Sequence, residues 1–151
     1  MEIDRPLRKD GEWWFDVRTD RFVTNVSWKA SRGFGIYLGE VGFGDRPDEL
    51  YTDPALVALR VQQLAADARE GGRAEPMVVA EVRKLLGHTQ VEVAEALTIG
   101  QGSVSRLEAR RNPTLSALRA YVEAMGGELE VRARFRDLDV PIALPDSEVE
   151  A

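Results

Sequence analysis

Gln101, Ser103, Ser105 and Arg106 fall within one short run, QGSVSRLE, and their types and spacing suit one kind of chemistry. A side-chain amide can donate one hydrogen bond to the edge of an adenine and accept another from it. A guanidinium can donate two, to a guanine edge or to a phosphate. The serines are small enough for close approach, and Gly102 leaves bare a position from which a base can be read. A DNA major groove about 12 Å wide admits one helix, which reads base edges from its N-terminal residues. Gln101, Gly102, Ser105 and Arg106 are therefore the expected base-reading face. Gln90, Ser103, Arg110 and Arg111 are expected at the phosphate backbone, which positions a protein without carrying sequence.

Two short helical patterns flank Thr98–Gly100 and must hold that face in place. The first begins at Thr89, where TQVE matches a capping box: the Thr89 hydroxyl accepts from the Glu92 amide while the Glu92 carboxylate reaches back. The second starts near Gly100 and buries Val104 and Leu107. A helix before the pair is predicted over Pro76 to Leu86, ended by Gly87. A helix after it begins beyond Asn112-Pro113-Thr114, buries Leu115, Leu118, Val122 and Met125, and stops at Gly126-Gly127. Glu108 is acidic in a basic stretch and reads as structural, paired with an arginine of the same domain.

ELEVRARFRD then alternates, with Leu129, Val131, Ala133 and Phe135 on one face. A lone strand must find a partner for its backbone groups. The choices are the N-terminal sheet or the same strand of a second copy. Antiparallel self-pairing is expected, setting Glu128 and Glu130 opposite Arg134 and Arg136 and making Leu129, Val131, Ala133 and Phe135 the dimer strand.

The first part of the chain reads as a small antiparallel sheet. EWWFDVR and FVTNVSWK alternate apolar and polar residues, and Thr19-Asp20-Arg21 connects them. GFGIYLGEVGFG adds one or two strands, DRPDELYTDP is a turn-rich loop, and Asp45, Asp48, Glu49 and Asp53 read as its solvated acids. Pro54 opens a helix to about Glu70, with Val57, Val61, Leu64 and Ala68 in a stripe. Trp13, Trp14 and Trp28 could stack on bases, but the alternation turns at least two of them toward a core. The expected division is a small α+β domain over 1–70, a linker over 71–76, a helical domain ending in a strand over 77–137, and an acidic, disordered tail over 138–151.

Composition bounds the function. The 151 residues contain no cysteine and one histidine, which excludes disulfides and thiolate metal sites and argues against a histidine-rich zinc site. No apolar run approaches the roughly 20 residues of a bilayer span, and MEIDRPLRKDGE lacks a signal-peptide core, so a cytoplasmic location is expected. The glycine-rich segment fits neither nucleotide-loop pattern, and no nucleophile stands with a base, so neither an enzyme nor a cofactor is expected. The net charge of −6, taken as a whole, opposes a nucleic-acid partner. It lies mostly elsewhere: between Gln101 and Arg119 four arginines face Glu108 alone, and screening confines a phosphate's view to about 8–10 Å.

The segment TQVEVAEALTIGQGSVSRLEARRNPTLSALRAYVEAMGGELEVRARF resembles the Xre (Cro and phage-repressor-like) helix-turn-helix family, and within it the HigA-type antitoxins. The resemblance covers roughly residues 77–136. It rests on Thr89-Gln90, Ala94, Ile99, the run Gln101 to Glu108 and the trailing NPTLSALRAYVEAMGGELE. It implies a four- to five-helix lambda-repressor-like domain ending in a β-strand, which with the N-terminal sheet and helix read above makes the expected fold class α+β. It also implies a dimeric repressor on a palindromic operator or, alternatively, an antitoxin that covers a small basic ribonuclease toxin and represses its own operon. Two positions depart from the family. Thr98 stands where the turn usually has glycine, and Gly100 where the helix is usually capped by serine or threonine. With Gly102 also bare, specificity is expected to be narrow or to draw partly on DNA shape.

Overall fold

The computed structural model describes residues 2–4, 10–19, 22–41, 45–71 and 75–143, and the chain divides into two compact units, Met1–Val78 and Val79–Ala151. The first unit holds five antiparallel strands in chain order: β1 (Glu2–Asp4), β2 (Trp13–Thr19), β3 (Phe22–Lys29), β4 (Gly33–Tyr37) and β5 (Glu49–Tyr51). The register sets Phe15, Val26 and Ile36 in one cross-strand row and Trp13, Trp28, Phe34 and Tyr51 in the next. Phe22, Val26 and Ile36 form one core with Val57 and Leu64 of α1 (Pro54–Arg69). The helix starts where its sequence says it should, with the Asp53 carboxylate accepting from the Ala55 amide at 2.8 Å and Pro54 in the first turn. Burying side chains of this size stabilises by about 1.5–3 kcal/mol each, so one helix can hold a small sheet.

The glycines of β4 serve close approach. A Cβ on Gly33, whose φ is +87°, would run into the Tyr51 carbonyl, and one on Gly35 would meet Pro47. All three tryptophans are half-buried: Trp14 stacks on Tyr37 with centroids 5.1 Å apart, and Trp28 packs against Phe34.

Arg60 lies inside this unit with 2% of its side chain exposed. It donates to Glu49 at 2.8 and 3.1 Å and to the Glu75 carbonyl at 2.8 Å. Tyr51 donates to the same carboxylate at 2.6 Å, and burial together with that anionic neighbour raises its phenol. Glu49 is thus no solvated turn acid. Its carboxylate is the counter-charge of a buried arginine, and the expected loop around it contains β5. Asp48 accepts from the Leu38 amide and Asp53 caps α1.

The second unit holds α2 (Val79–Leu85), α3 (Gln90–Leu97), α4 (Gln101–Glu108), α5 (Leu115–Ala124), β6 (Val131–Phe135) and β7 (Leu138–Ile142). Its core is Val93, Ala94, Val104 and Tyr121, with Val79, Leu97, Leu107, Ala124 and Met125 packed around it. The fold is α+β. The structure corrects several expectations. The helix predicted from Pro76 begins three residues later, at Val79. Leu115 is 47% exposed at the first position of α5, and Tyr121, one turn beyond Leu118, is the side chain that helix buries.

The strand after α5 has a partner in its own chain, neither the N-terminal sheet nor an obligatory second copy. Residues 138–142, expected in the disordered tail, form β7 and pair antiparallel with β6, Val131 opposite Ile142 and Phe135 opposite Leu138. Leu138, Val140 and Ile142 alternate like any strand, and Pro141 is tolerated because β7 is an edge. Leu129 precedes the strand. Of the two arginines expected opposite glutamates of a second copy, Arg134 meets Asp139 of its own chain at 3.3 Å, and the neighbouring Arg132 meets Glu130 at 2.6 Å and Asp139 at 3.0 Å. Asp20, Arg21, residues 72–74 of the linker and residues 144–151 of the tail lie outside the described residues.

Candidate nucleic-acid interface

Thr89 and Glu92 cap α3 reciprocally. The Thr89 hydroxyl accepts from the Glu92 amide at 3.1 Å, and the Glu92 carboxylate accepts from the Thr89 amide at 2.6 Å. That backbone hydrogen bond, with a second from the Thr89 hydroxyl, lowers the Glu92 pKa. At the other end of α3, Thr98 takes φ 57° and ψ 41°, the left-handed conformation, and the Ile99 amide returns to Ala94 at 3.0 Å. Thr98, which stands where the family's turn usually has glycine, is the one non-glycine residue with positive φ among the described residues. A β-branched residue in that region costs roughly 1–2 kcal/mol. Thr98→Gly is expected to raise stability by about 1 kcal/mol, seen as a melting midpoint a few degrees higher. A midpoint equal to or below that of the parent would show that the turn stores no strain.

Gly100 begins α4 with no side-chain cap, as its type requires. Val104 of α4 is fully buried against Val93, Ala94 and Tyr121, which fixes the rotation of the helix about its axis. The opposite surface is left to solvent. Gln101, Gly102, Ser105 and Arg106 are all exposed, and Ser103 is half-buried at their border. The i and i+4 pairs Gln101/Ser105 and Gly102/Arg106 form two adjacent columns one turn long. Arg106 donates to the Ser103 hydroxyl at 3.1 Å. Arg110 and Arg111 are exposed just beyond the helix, and Gln90 is half-buried at the start of α3. The residues expected from the sequence to read bases are therefore brought onto one outward face, with those expected at phosphates around it.

Behind that face sits a charged network. Glu108 accepts from Arg83 at 2.7 and 3.2 Å, from the Tyr121 hydroxyl at 2.5 Å and from the Gln90 amide at 2.8 Å. Arg83 also donates to the His88 carbonyl at 2.8 Å, and both charged side chains are only 8% exposed. Burial alone would raise the Glu108 carboxyl. The hydrogen bonds from Arg83, Tyr121 and Gln90 and the guanidinium charge outweigh it and bring the pKa down to about 2. Burial and the same carboxylate raise Tyr121, and the bond to Glu108 raises Arg83. The arginine expected for Glu108 is thus Arg83. Tyr121 escaped notice, although the series Leu118, Tyr121, Val122, Met125 carries the helical period that identifies it. Glu108 ties α2, α3, α4 and α5 together from within.

Among the described residues, no helix is long and apolar enough to cross a membrane, and no group of three or more histidine, aspartate or glutamate side chains is placed to hold a metal ion.

A helix-turn-helix family model matches residues 79–131, the segment from α2 to the start of β6. The chain is 40% identical over 85 residues to a protein named "Putative antitoxin HigA3" from Mycobacterium tuberculosis (strain ATCC 25618 / H37Rv). That stretch covers 53% of this chain and 78% of the relative. Two solved structures are also similar. One is described as "Induced DNA bending by unique dimerization of HigA antitoxin", at 37% identity over 46% of this chain and 96% of that one, with a TM-score of 0.43. The other is described as "DNA bound antitoxin HigA3", at 36% identity over 48% and 96%, with a TM-score of 0.44.

Proposed function

We infer, from a chain that belongs to the Xre-like helix-turn-helix family in its HigA-type antitoxin subset, that it is a sequence-specific regulator binding double-stranded DNA. The observation that carries this reading is the orientation of α4. Val104 is pinned in the core while Gln101, Gly102, Ser105 and Arg106 stand together in solvent, the arrangement a groove-reading helix needs. It acts by binding, not as an enzyme, and works at DNA in the cytoplasm. Selection of bound duplex from a random pool tests it. On the selected site, Gln101→Ala and Arg106→Ala are expected to cost about 1–3 kcal/mol each and to relax preference at their own base pairs. Arg110→Ala is expected to weaken all sequences alike and to flatten the salt dependence by about one unit. Gln101 and Arg106 variants that bind the selected duplex like the parent would overturn the assignment of α4.

The hairpin supports a dimer. Its pairing puts Val131, Ala133, Phe135, Leu138, Val140 and Ile142 on one face, and Phe135 and Leu138 are 65% and 51% exposed. Two strands alone are marginal in water. Pro141 removes a donor from β7, so β6 offers the more complete edge. Antiparallel β6–β6 pairing of two copies, with Leu129 beside the ladder, makes a four-stranded sheet with a two-fold axis. It sets two α4 helices about 34 Å apart on a palindromic operator. Val131→Pro is expected to shift the protein from dimer to monomer in analytical ultracentrifugation. A parent chain that sediments as a monomer at tens of micromolar would overturn this.

A second reading is favoured by the 40% identity to a protein named as an antitoxin: the chain also neutralises a small basic ribonuclease toxin by direct binding and represses its own operon. A short Lys/Arg-rich reading frame beside its gene is the expected sign. The first unit, whose α+β part was expected over 1–70 and which extends to Val78, is a module that DNA contact does not require.

A further inference from the structure

Thr98 is held in the left-handed region at φ 57° and ψ 41°, while the other described residues with positive φ, Gly33, Gly71, Gly87 and Gly126, are all glycine. A branched side chain is crowded there and persists where something offsets the crowding. Neither of the two local gains is present. The side chain is exposed, so packing supplies none. A threonine near a turn or helix end commonly bonds its hydroxyl to nearby backbone. Thr89 and Thr114 do so, accepting from the Glu92 and Ala117 amides at 3.1 and 3.2 Å. Among the described residues the Thr98 hydroxyl has no such partner. Its strain is therefore not offset within the chain.

The position of Thr98 says where an outside partner lies. Gln101, expected at base edges, stands three residues further on. Three residues span at most about 10 Å, and a major groove is about 8.5 Å deep. A chain that brings Gln101 to the floor of the groove has Thr98 within reach of the rim, which is a sugar-phosphate strand. Gly100, between them, has no side chain to offer.

We propose that Thr98 is a DNA-backbone contact, its hydroxyl donating to a phosphate at the rim of the groove that α4 enters, and that this bond offsets the strain of the turn. It rests on the DNA-binding reading of α4 and extends it to a position where the family's turn usually has glycine. A neutral donor to a phosphate oxygen carries no sequence information and displaces no counterion of its own. The contact thus adds affinity on every duplex and leaves the salt dependence alone.

Substitutions at this one position separate the hydroxyl from the strain. Thr98→Val keeps the branched carbon and removes the donor, and Thr98→Gly removes both. Thr98→Asn keeps a donor in a residue that enters the left-handed region readily. Binding to the duplex recovered by random-pool selection, and to a scrambled duplex, is measured by fluorescence anisotropy at several salt concentrations, beside each melting midpoint. Affinity is expected to follow the donor. Thr98→Val and Thr98→Gly should bind both duplexes about tenfold more weakly with an unchanged salt slope, and Thr98→Asn within about threefold of the parent. Stability is expected to follow the strain, with Thr98→Val melting close to the parent and the other two a few degrees higher. Duplexes carrying one neutral methylphosphonate at a time locate the phosphate: one position should weaken the parent about tenfold and leave Thr98→Val unaffected. Affinity that follows the strain, or that is equal in the parent and all its variants, overturns the proposal. So does a methylphosphonate series in which no position distinguishes the parent from Thr98→Val. Recovery of no duplex at all from the pool overturns instead the DNA-binding reading on which it rests.

Discussion

Glu108→Gln is expected to destabilise the second unit by about 3–5 kcal/mol, because it leaves the Arg83 guanidinium, 8% exposed, without its counter-charge. Against a total of about 5–15 kcal/mol for an ordinary domain, this is enough to unfold a large fraction of molecules near physiological temperature. The same pair sets the acid stability. The folded carboxyl lies at about 2 and its ordinary value is 4.5. A carboxyl depressed on folding stabilises in its ionised form. The contribution is therefore complete above pH 4.5 and is lost as pH falls toward 2. Its size is roughly 3 kcal/mol at about 1.4 kcal/mol per pH unit. Chemical denaturation at successive pH values should show the parent losing this much between pH 5 and 2, while Glu108→Gln is weak throughout and nearly flat over that range. A variant as stable as the parent, or one that keeps the full acid slope, would remove the network from its central place.

Arg60→Met is the second large effect, expected at about 3–5 kcal/mol in the first unit. It strands the Glu49 carboxylate, 12% exposed, and removes the donor to the Glu75 carbonyl. Leaving a buried charge alone is what costs most, so the companion change Glu49→Leu should recover a large part of the loss. Equilibrium unfolding of the two single variants and the double variant gives the coupling directly. Strict additivity would mean that the ion pair contributes nothing as a pair.

The parts of this fold that were legible in the sequence are those written in local pattern. The capping box Thr89/Glu92, the period that buries Val104 and exposes Gln101 and Arg106, and the alternation of β2 and β3 each lie within eight residues. The strained Thr98 was legible as the wrong residue type for its turn. β1 and β5 were not, because three residues cannot display a period of two. β7 was overlooked although Leu138, Val140 and Ile142 alternate, since an edge strand admits the proline and the acid that made the segment read as a tail. Of the buried charges, Glu108 was legible as an acid in a basic stretch that needs an arginine, but which arginine, and the burial of Glu49 and Arg60, were not. Arg83 and Glu108 are 25 residues apart and Glu49 and Arg60 are 11 apart, and nothing local tells a charged residue which distant partner it will meet.

The open edge of β6 bears on how the cell would experience this molecule. If two copies join there, as proposed, the DNA-binding species depends on the square of the chain's concentration while monomers are in excess. Doubling synthesis quadruples the dimer, and halving it leaves a quarter. Operator occupancy then responds to protein level as a threshold, not in proportion. An interruption of synthesis releases the promoter sooner than the decline in protein alone would suggest.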